Sequence, residues 1–298
     1  MLFPLAAQLD ALAEKGLKSA AETVSRKYRE SANKAICDET QALAYAASRM
    51  PATYGAIFKA LQKTLELYPE SVETVLDAGA GTGAATLAAR QLLGNPACVC
   101  LEKQDVMRAL GAKLVPAQWE KYDLTTPDEL PHRADLVVAA YVLNELDNPA
   151  QTALKLWRAA NGILLIVDAA TPQTSALMQT VRAALIQEGA RIAAPCPHAD
   201  PCAEWCHFAA RIERSRLHRH LKGGDAPFED EKFTFFAFSK TPVAPAKARV
   251  LRHPQISAGK VGLTLCAKNG VESRLVAKKE KELYKAARKA AAGDAFPV

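Results

Sequence analysis

Asp77, Gly79, Gly81 and Gly83 recur at every second position where the apolar run Val75-Leu76-Asp77-Ala78 meets the helix-forming stretch Ala84 to Leu93. Alternating glycines turn the chain tightly and let backbone N–H groups approach a bound molecule with no Cβ between them. Gly79, Gly81 and Ala84 also satisfy the looser dinucleotide fingerprint, in which the helix amides receive a pyrophosphate. Asp77 opposes that reading, because a carboxylate two residues before the first glycine suits a cationic ligand better than phosphates. S-adenosylmethionine, with its ammonium and sulfonium, fits this charge; a loop that holds nothing is the third reading. Glu102, closing the run Ala97 to Leu101, lies where a ribose-binding acid is expected. Either cofactor has a ribose, so Glu102 does not choose between them.

A second concentration of chemistry lies at Pro195-Cys196-Pro197-His198-Ala199-Asp200-Pro201-Cys202-Ala203-Glu204-Trp205-Cys206-His207-Phe208. Thiolates at 196, 202 and 206 can converge because the prolines force turns while the spacing leaves chain to wrap an ion or cluster. Cys266 is a candidate fourth ligand: Val261, Leu263, Leu265 and Ala267 alternate onto one strand face, which points Cys266 to the other. Zinc could take the three cysteines with Cys266, His198 or His207, an iron–sulfur cluster would favour four thiolates, and buried apolar thiols are the plain alternative. Cys37, Cys98 and Cys100 read as packing.

The elements around these groups alternate. Residues 5 to 48 predict two or three helices, and an amphipathic helix follows Met50-Pro51 over 52 to 67, from which Arg49, Thr53 and Tyr54 either reach the cofactor cleft or merely set the junction. Strands are expected at 75 to 78, 97 to 101, 119 to 124, 135 to 143 and 162 to 168, separated by helices, the pattern of a doubly wound parallel sheet. Asp123 ends the third strand; by itself it reads as a helix or turn cap, whereas resemblance to class I methyltransferases implies an adenine contact. Asp135 to Leu143 is apolar enough to be buried on both faces, and its end places Tyr141, Asn144 and Glu145 at the ligand edge of the sheet. No Asn-Pro-Pro-Tyr type sequence for a flipped base and no cysteine stands there, so the methyl acceptor is unspecified. Thr171-Pro172 predicts an N-cap for a helix ending near Gly189. The tail is read as completing the sheet with a strand at 232 to 238 and a hairpin turning at Asn269-Gly270, followed by a basic helix at 278 to 289.

With 298 residues, 49% of them hydrophobic, the chain has ample material for a core. Its net charge of +6 is uneven: residues 207 to 298 hold 19 Lys and Arg against 9 Asp and Glu, +10, which leaves −4 for the rest. Arg211, Arg214, Arg216, His218, Arg219 and Lys222 recur at spacings that put several of them on one helical face, suited to phosphates, with a solvated basic face as the bland alternative. No apolar run approaches the roughly 20 residues that span a bilayer, and the first residues lack the signature of a signal or transit peptide. A cytoplasmic location with reduced thiols is expected.

The glycine segment resembles the first motif of class I methyltransferases. More specifically, Arg-Met-Pro-Ala-Thr-Tyr at 49 to 54, Ala-Pro-Cys-Pro-His at 194 to 198, Trp-Cys-His-Phe at 205 to 208, Arg-Ser-Arg-Leu-His-Arg at 214 to 219 and Phe-Glu-Asp-Glu-Lys-Phe at 228 to 233 are similar to the methyltransferase-like family associated with the small subunit of the mitochondrial ribosome. That family has bacterial members, which a chain without a transit peptide fits. The resemblance runs from about residue 40 to Lys289. It implies an α/β class I methyltransferase (Rossmann-like) fold, a 4Fe-4S site on Cys196, Cys202, Cys206 and Cys266, and a role at the small ribosomal subunit and its rRNA. Asp168-Ala169-Ala170 departs from the family's Glu-Pro-Gly before Thr-Pro, which concerns the acceptor side of the cleft.

The expected organisation is a helical cap (1–70), a core binding S-adenosylmethionine (71–190), a basic Cys/His-rich insertion (191–231) and C-terminal strands with a basic tail (232–298). The expected function is S-adenosylmethionine-dependent methyl transfer, or a methyltransferase-like role, on small-subunit rRNA during ribosome assembly or translation. The alternatives are a non-catalytic iron–sulfur RNA-binding assembly factor and a small-molecule methyltransferase. The sequence gives no signal for an oligomeric state.

Overall fold

A computed structural model describes residues 1–13, 15–29 and 35–297. The N-terminal cap comprises α1 (Ala6–Ala11), α2 (Leu17–Arg29), α3 (Glu39–Ser48) and α4 (Met50–Leu65). Asp38 caps α3 by accepting the Gln41 N–H at 2.8 Å. Pro51 does not interrupt α4; it sits in the first turn, where a missing N–H leaves no bond unmade. Cys37, expected to pack, is exposed because it lies in the turn before Asp38, where the Lys27 ammonium reaches its sulfur at 3.3 Å.

The next elements are β1 (Thr74–Ala78), α5 (Ala84–Leu93), β2 (Ala97–Glu102), α6 (Asp105–Leu114), β3 (Gln118–Lys121), β4 (Ala134–Ala140), α7 (Pro149–Ala159), β5 (Ala160–Ala169) and α8 (Pro172–Gln187). Then come β6 (Arg191–Ala194), β7 (Phe208–Glu213), α9 (Arg216–Lys222) and β8 (Phe228–Ser239). These strands make one sheet in the order β3-β2-β1-β4-β5-β8-β6, with β7 beside β8. The first five are parallel to their neighbours, whereas β8 runs antiparallel to β5, β6 and β7, so the sheet is mixed rather than wholly parallel. It is an α/β fold resembling the class I methyltransferases. Both faces are covered: Leu136, Val138, Ile163 and Leu165 pack with α4 and α5, and Val137, Ala139, Leu164 and Ile166 with α7 and α8. This two-sided burial is why β4 and β5 read as unbroken apolar runs.

Trp119 on β3 sets how closely α6 can approach. A Cβ on Gly111 would come within 2.2 Å of the indole, a rigid ring that would have to shift as a whole. Gly111→Ala is therefore expected to destabilise the protein by about 1–3 kcal/mol through overpacking. The denaturant midpoint measures this, and an unchanged midpoint would mean that helix and indole are not in contact.

The tail departs from expectation. Only β8 joins the main sheet; β9 (Ala248–Val250), β10 (Gln255–Ser257), β11 (Lys260–Ala267), β12 (Gly270–Ala277) and β13 (Ala295–Phe296) form a second one, covered by α10 (Lys281–Lys289). Val261, Leu263 and Leu265 face that small core, as their alternation requires. The hairpin closes at Ala267 opposite Gly270, one residue earlier than read, so Lys268-Asn269 is the turn and Gly270 takes the positive φ of 107°. Among the described residues, no helix is long and apolar enough to cross a membrane.

Candidate functional site

The carboxyl ends of β1, β2 and β4 open into a cleft of about 480 Å³, within the range of small-ligand sites. Asp77, Gly79, Gly81, Glu102, Asp123, Tyr141 and Asn144 all line it. Gly83 does not: with φ of 89° it precedes α5, and a Cβ there would meet Val115 and Trp119 at 3.1 and 3.2 Å, so its role is packing.

Each polar group has a defined duty. Asp77 is 2% exposed, and its Oδ2 accepts from the Thr86 N–H at 3.0 Å and the Thr86 hydroxyl at 2.9 Å, pinning α5 to β1. Burial pushes this carboxyl up to about 6 against the pull of those bonds, so it is ionised at neutral pH. Glu102 accepts the Gly81 N–H at 2.8 Å and the Gln104 N–H at 2.7 Å, which holds the loop open; burial raises it despite both bonds. Asp123 lies beyond β3 and caps the turn through Thr125 N at 3.0 Å; that bond holds its carboxyl below the usual range.

The far wall is more tightly tied. Tyr141 adopts φ of 57°, a left-handed conformation that a bulky residue holds only under constraint. Its hydroxyl donates to Glu231 at 3.0 Å, and burial beside that acid raises the phenol well above its ordinary value. Arg49 lies 3.9 Å from the same carboxylate. The Asn144 side chain donates to Asp168, whose Oδ2 is buried without a partner and whose carboxyl burial raises to about 6.

Cys196, Cys202 and Cys206 lie in the irregular segment between β6 and β7, and Cys266 lies on β11, in contact with His198 of that segment. The four thiols lie within electrostatic reach of one another: Cys206 is raised by burial and then by Cys196, Cys266 and Cys202. Cys266 is pushed up to about 12 by burial and then by Cys196 and Cys202. His198 places Nε2 3.7 Å from the Cys266 sulfur, whereas the His207 ring faces the Trp205 carbonyl at 3.2 Å. Among the described residues, no three His, Cys, Asp or Glu side chains gather tightly enough to hold a single ion. Four sulfurs around one zinc would stand roughly 4 Å apart, as Zn–S bonds of about 2.3 Å require. By its chemistry, four thiols, the donor set is that of an iron–sulfur cluster, which takes one thiolate per iron.

The basic stretch is not one helical face. Phe208, Ala210 and Ile212 are buried and Ala209, Arg211 and Glu213 exposed, the period of a strand; α9 begins only at Arg216. Arg211 makes a two-pronged ion pair with Asp230 at 2.7 and 2.8 Å. Arg214 donates to the Gly223 and Ala226 carbonyls at 3.0 and 3.3 Å, and Lys222 pairs with Glu229 at 2.6 Å. His218, expected on the surface, is buried 3.5 Å from Glu229 because α9 turns it toward β8. Arg216 is exposed, and Arg219 has a buried Nε without a partner.

The family model described as mitochondrial small ribosomal subunit Rsm22 matches residues 39–297. The chain belongs to this family. Human mitochondrial ribosome assembly protein METTL17 is 25% identical over 295 residues, 87% of this chain and 63% of that one, so the chain spans less than two thirds of its relative. Among solved structures, a SAM dependent methyltransferase from Aquifex aeolicus is 15% identical with a TM-score of 0.44, covering 69% of this chain and 100% of that one. The plantazolicin methyltransferase BpumL in complex with SAH is 10% identical with a TM-score of 0.46, covering 76% and 97%.

Tyr28 and Tyr45 line this Rsm22-family cleft without any signal in the sequence that pointed there. They reach it from α2 and α3, their rings 5.9 Å apart. Thr53, which could reach the cleft or merely set the junction, lines it from α4. Glu231 arrives from β8, ninety residues beyond Tyr141.

Proposed function

We propose that this chain is an S-adenosylmethionine-binding, methyltransferase-like factor of the small ribosomal subunit, acting on rRNA during assembly. The convergence of Asp77, Gly79, Gly81, Glu102, Asp123, Tyr141 and Asn144 on one cleft carries the reading. In it, the glycine-loop amides and Glu102 receive the ribose and Asp77 contributes negative charge toward the cofactor's ammonium. The bound cofactor supplies a methyl group made electrophilic by its sulfonium. The protein's part in transfer is to align an acceptor with it and exclude water, since positioning alone can remove several kcal/mol of barrier.

A non-catalytic role is favoured by one observation. Tyr141 and Asn144, the side chains best placed to meet an acceptor, are already committed to Glu231 and Asp168. Transfer of labelled methyl groups to small-subunit particles lacking this protein separates the two: incorporation that disappears with Asp77→Ala supports catalysis, and none supports the binding factor.

Calorimetric titration with S-adenosylmethionine tests the cofactor reading. Glu102→Ala is expected to weaken binding about ten- to a hundredfold, the worth of hydrogen bonds to a charged group, roughly 1.5–3 kcal/mol. Absence of binding, or equal affinity in the variant, overturns it.

The second part of the proposal is a 4Fe-4S cluster on Cys196, Cys202, Cys206 and Cys266, with zinc as the alternative. Supporting it are the number of thiols, four, and their electrostatic influence on one another. The cysteines join the segment after β6 to the second sheet, so a bound group acts as a clamp between the sheets. Anaerobically purified protein is expected to be brown and to contain iron and sulfide, and stoichiometric zinc in a colourless protein overturns the cluster.

A further inference from the structure

Two guanidinium groups lie deep in the protein with no carboxylate beside them. Arg182 on α8 is 2% exposed and Arg249 on β9 is 1% exposed. Among the described residues neither makes a salt bridge. Glu66 and Asp294 influence Arg249 only from beyond ion-pair distance, and both are already paired with Lys63. Removing an unpaired charge from water is unfavourable by several kcal/mol, so two such groups call for a negative partner.

Both arginines hold the cysteine segment. Arg182 Nη2 donates to the His198 carbonyl at 2.9 Å, and Arg249 Nε donates to the Pro195 carbonyl at 2.9 Å, next to Cys196. Arg249 Nη1 donates to the Gly293 carbonyl at 2.9 Å. These bonds leave Arg182 Nε and Arg249 Nη2 buried without an acceptor. The ladder places Arg249 directly opposite Cys266, so the two side chains share one face of the second sheet. Arg182 is thus tied two residues beyond Cys196, and Arg249 one residue before it.

We propose that Arg182 and Arg249 are the built-in counter-ions and N–H donors of a dianionic metal–thiolate centre on Cys196, Cys202, Cys206 and Cys266. This rests on the metal reading above. Four thiolates carry four negative charges, and an oxidised 4Fe-4S core or a zinc ion returns two positive ones. The remaining double negative charge matches the two guanidinium groups, and their spare N–H groups meet sulfur. With no metal bound, two buried cations stand uncompensated, so loading the site relieves both. Positive charge and hydrogen bonds at the sulfurs favour the more negative, reduced state of a cluster, so the arginines raise its potential.

The test uses the full chain, reconstituted anaerobically with iron and sulfide, as wild type, Arg182→Gln, Arg249→Gln, Arg182→Lys and Arg249→Lys. Iron and sulfide content and a redox titration are read for each. Each glutamine variant is expected to lower the reduced-to-oxidised ratio at a fixed potential at least tenfold, about 59 mV for one electron, while each lysine variant keeps the wild-type midpoint. Should the wild type load zinc, chelator competition is the readout, with at least tenfold weaker retention in the glutamine variants. If a glutamine variant does not fold, the lysine variant decides: it holds the metal if charge is what the site needs. Lysine variants that lose the metal as fully as glutamine ones, or glutamine variants with wild-type midpoints, overturn this inference alone. A wild type that takes up neither iron–sulfide nor zinc overturns the metal reading and this inference with it.

Discussion

Gly79→Ala protein is expected to melt about 10 °C below the wild type and to give no heat on titration with S-adenosylmethionine. Two effects add. Gly79 holds φ of 75°, and an L side chain there is disfavoured by about 1–2 kcal/mol. A Cβ at this position would also stand 2.7 Å from Val142 Cγ2 and 3.1 Å from Val142 Cβ, close to the backbone end of a branched side chain that cannot swing aside. Relief by overpacking shifts costs about 1–3 kcal/mol more. For a chain of this size each kcal/mol lowers the melting temperature by about 2–4 °C. Val142 follows Tyr141, so displacement at Gly79 travels to the far wall of the cleft. A melting temperature within a degree of wild type, with unaltered binding, would mean that the loop is not packed on Val142.

The second large effect is a dependence on pH. Burial raises Asp77 from the ordinary 3.8 to about 6, so between those values the folded protein holds a proton that the unfolded chain releases. Stability contributed by the protonated carboxyl is present at low pH and lost as pH rises from about 4 to about 6, and the deficit persists at neutral pH. Its upper bound is about 3 kcal/mol, from about 1.4 kcal/mol per unit. Asp77→Asn removes the buried charge and keeps an oxygen for Thr86. The variant is expected to be about 1–3 kcal/mol more stable than wild type at pH 7.5, with the advantage vanishing below pH 4. Plotting the difference between the two proteins cancels Asp168, raised by burial to about 6. It cancels Glu229 as well, where burial is outweighed by His218 and Lys222, which hold the carboxyl at about 2. The same variant should bind S-adenosylmethionine more weakly, since it lacks the charge facing the ammonium. Denaturant melts from pH 3.5 to 8 check the sign: a difference curve that is flat, or that favours the wild type at pH 7.5, contradicts a strained Asp77.

That pairing of instability and binding explains why the carboxylate is placed where it is. A neutral residue at 77 would leave a firmer apoprotein with a poorer site, the usual opposition between stability and function. Asp168, on β5, shows the same signature: burial raises it to about 6 and one of its oxygens has no partner.

Local regularities were legible in the chain itself. Val75 to Gly83 announced a strand, a turn and a helix because apolar continuity, positive-φ glycines and Ala-rich composition act within a few residues. Thr171 was recognisable as a cap because its hydroxyl needs only Thr174 N, three positions on, which it accepts at 3.1 Å. The side-chain alternation of β11 likewise turned Cys266 away from Leu263 and Leu265 before any neighbour was known. Where cations repeated every two to three residues, helix and strand periods were confusable, and the strand Phe208–Glu213 was missed until its buried face had a partner in β8. Tertiary structure alone decided which distant groups meet: Tyr28 and Tyr45 over the cleft, Glu231 on Tyr141, Arg182 and Arg249 beside the thiols. Those contacts join residues tens to hundreds of positions apart. Local propensity reaches only neighbours along the chain, whereas burial and charge act through space and have no meaning until the sheets are packed.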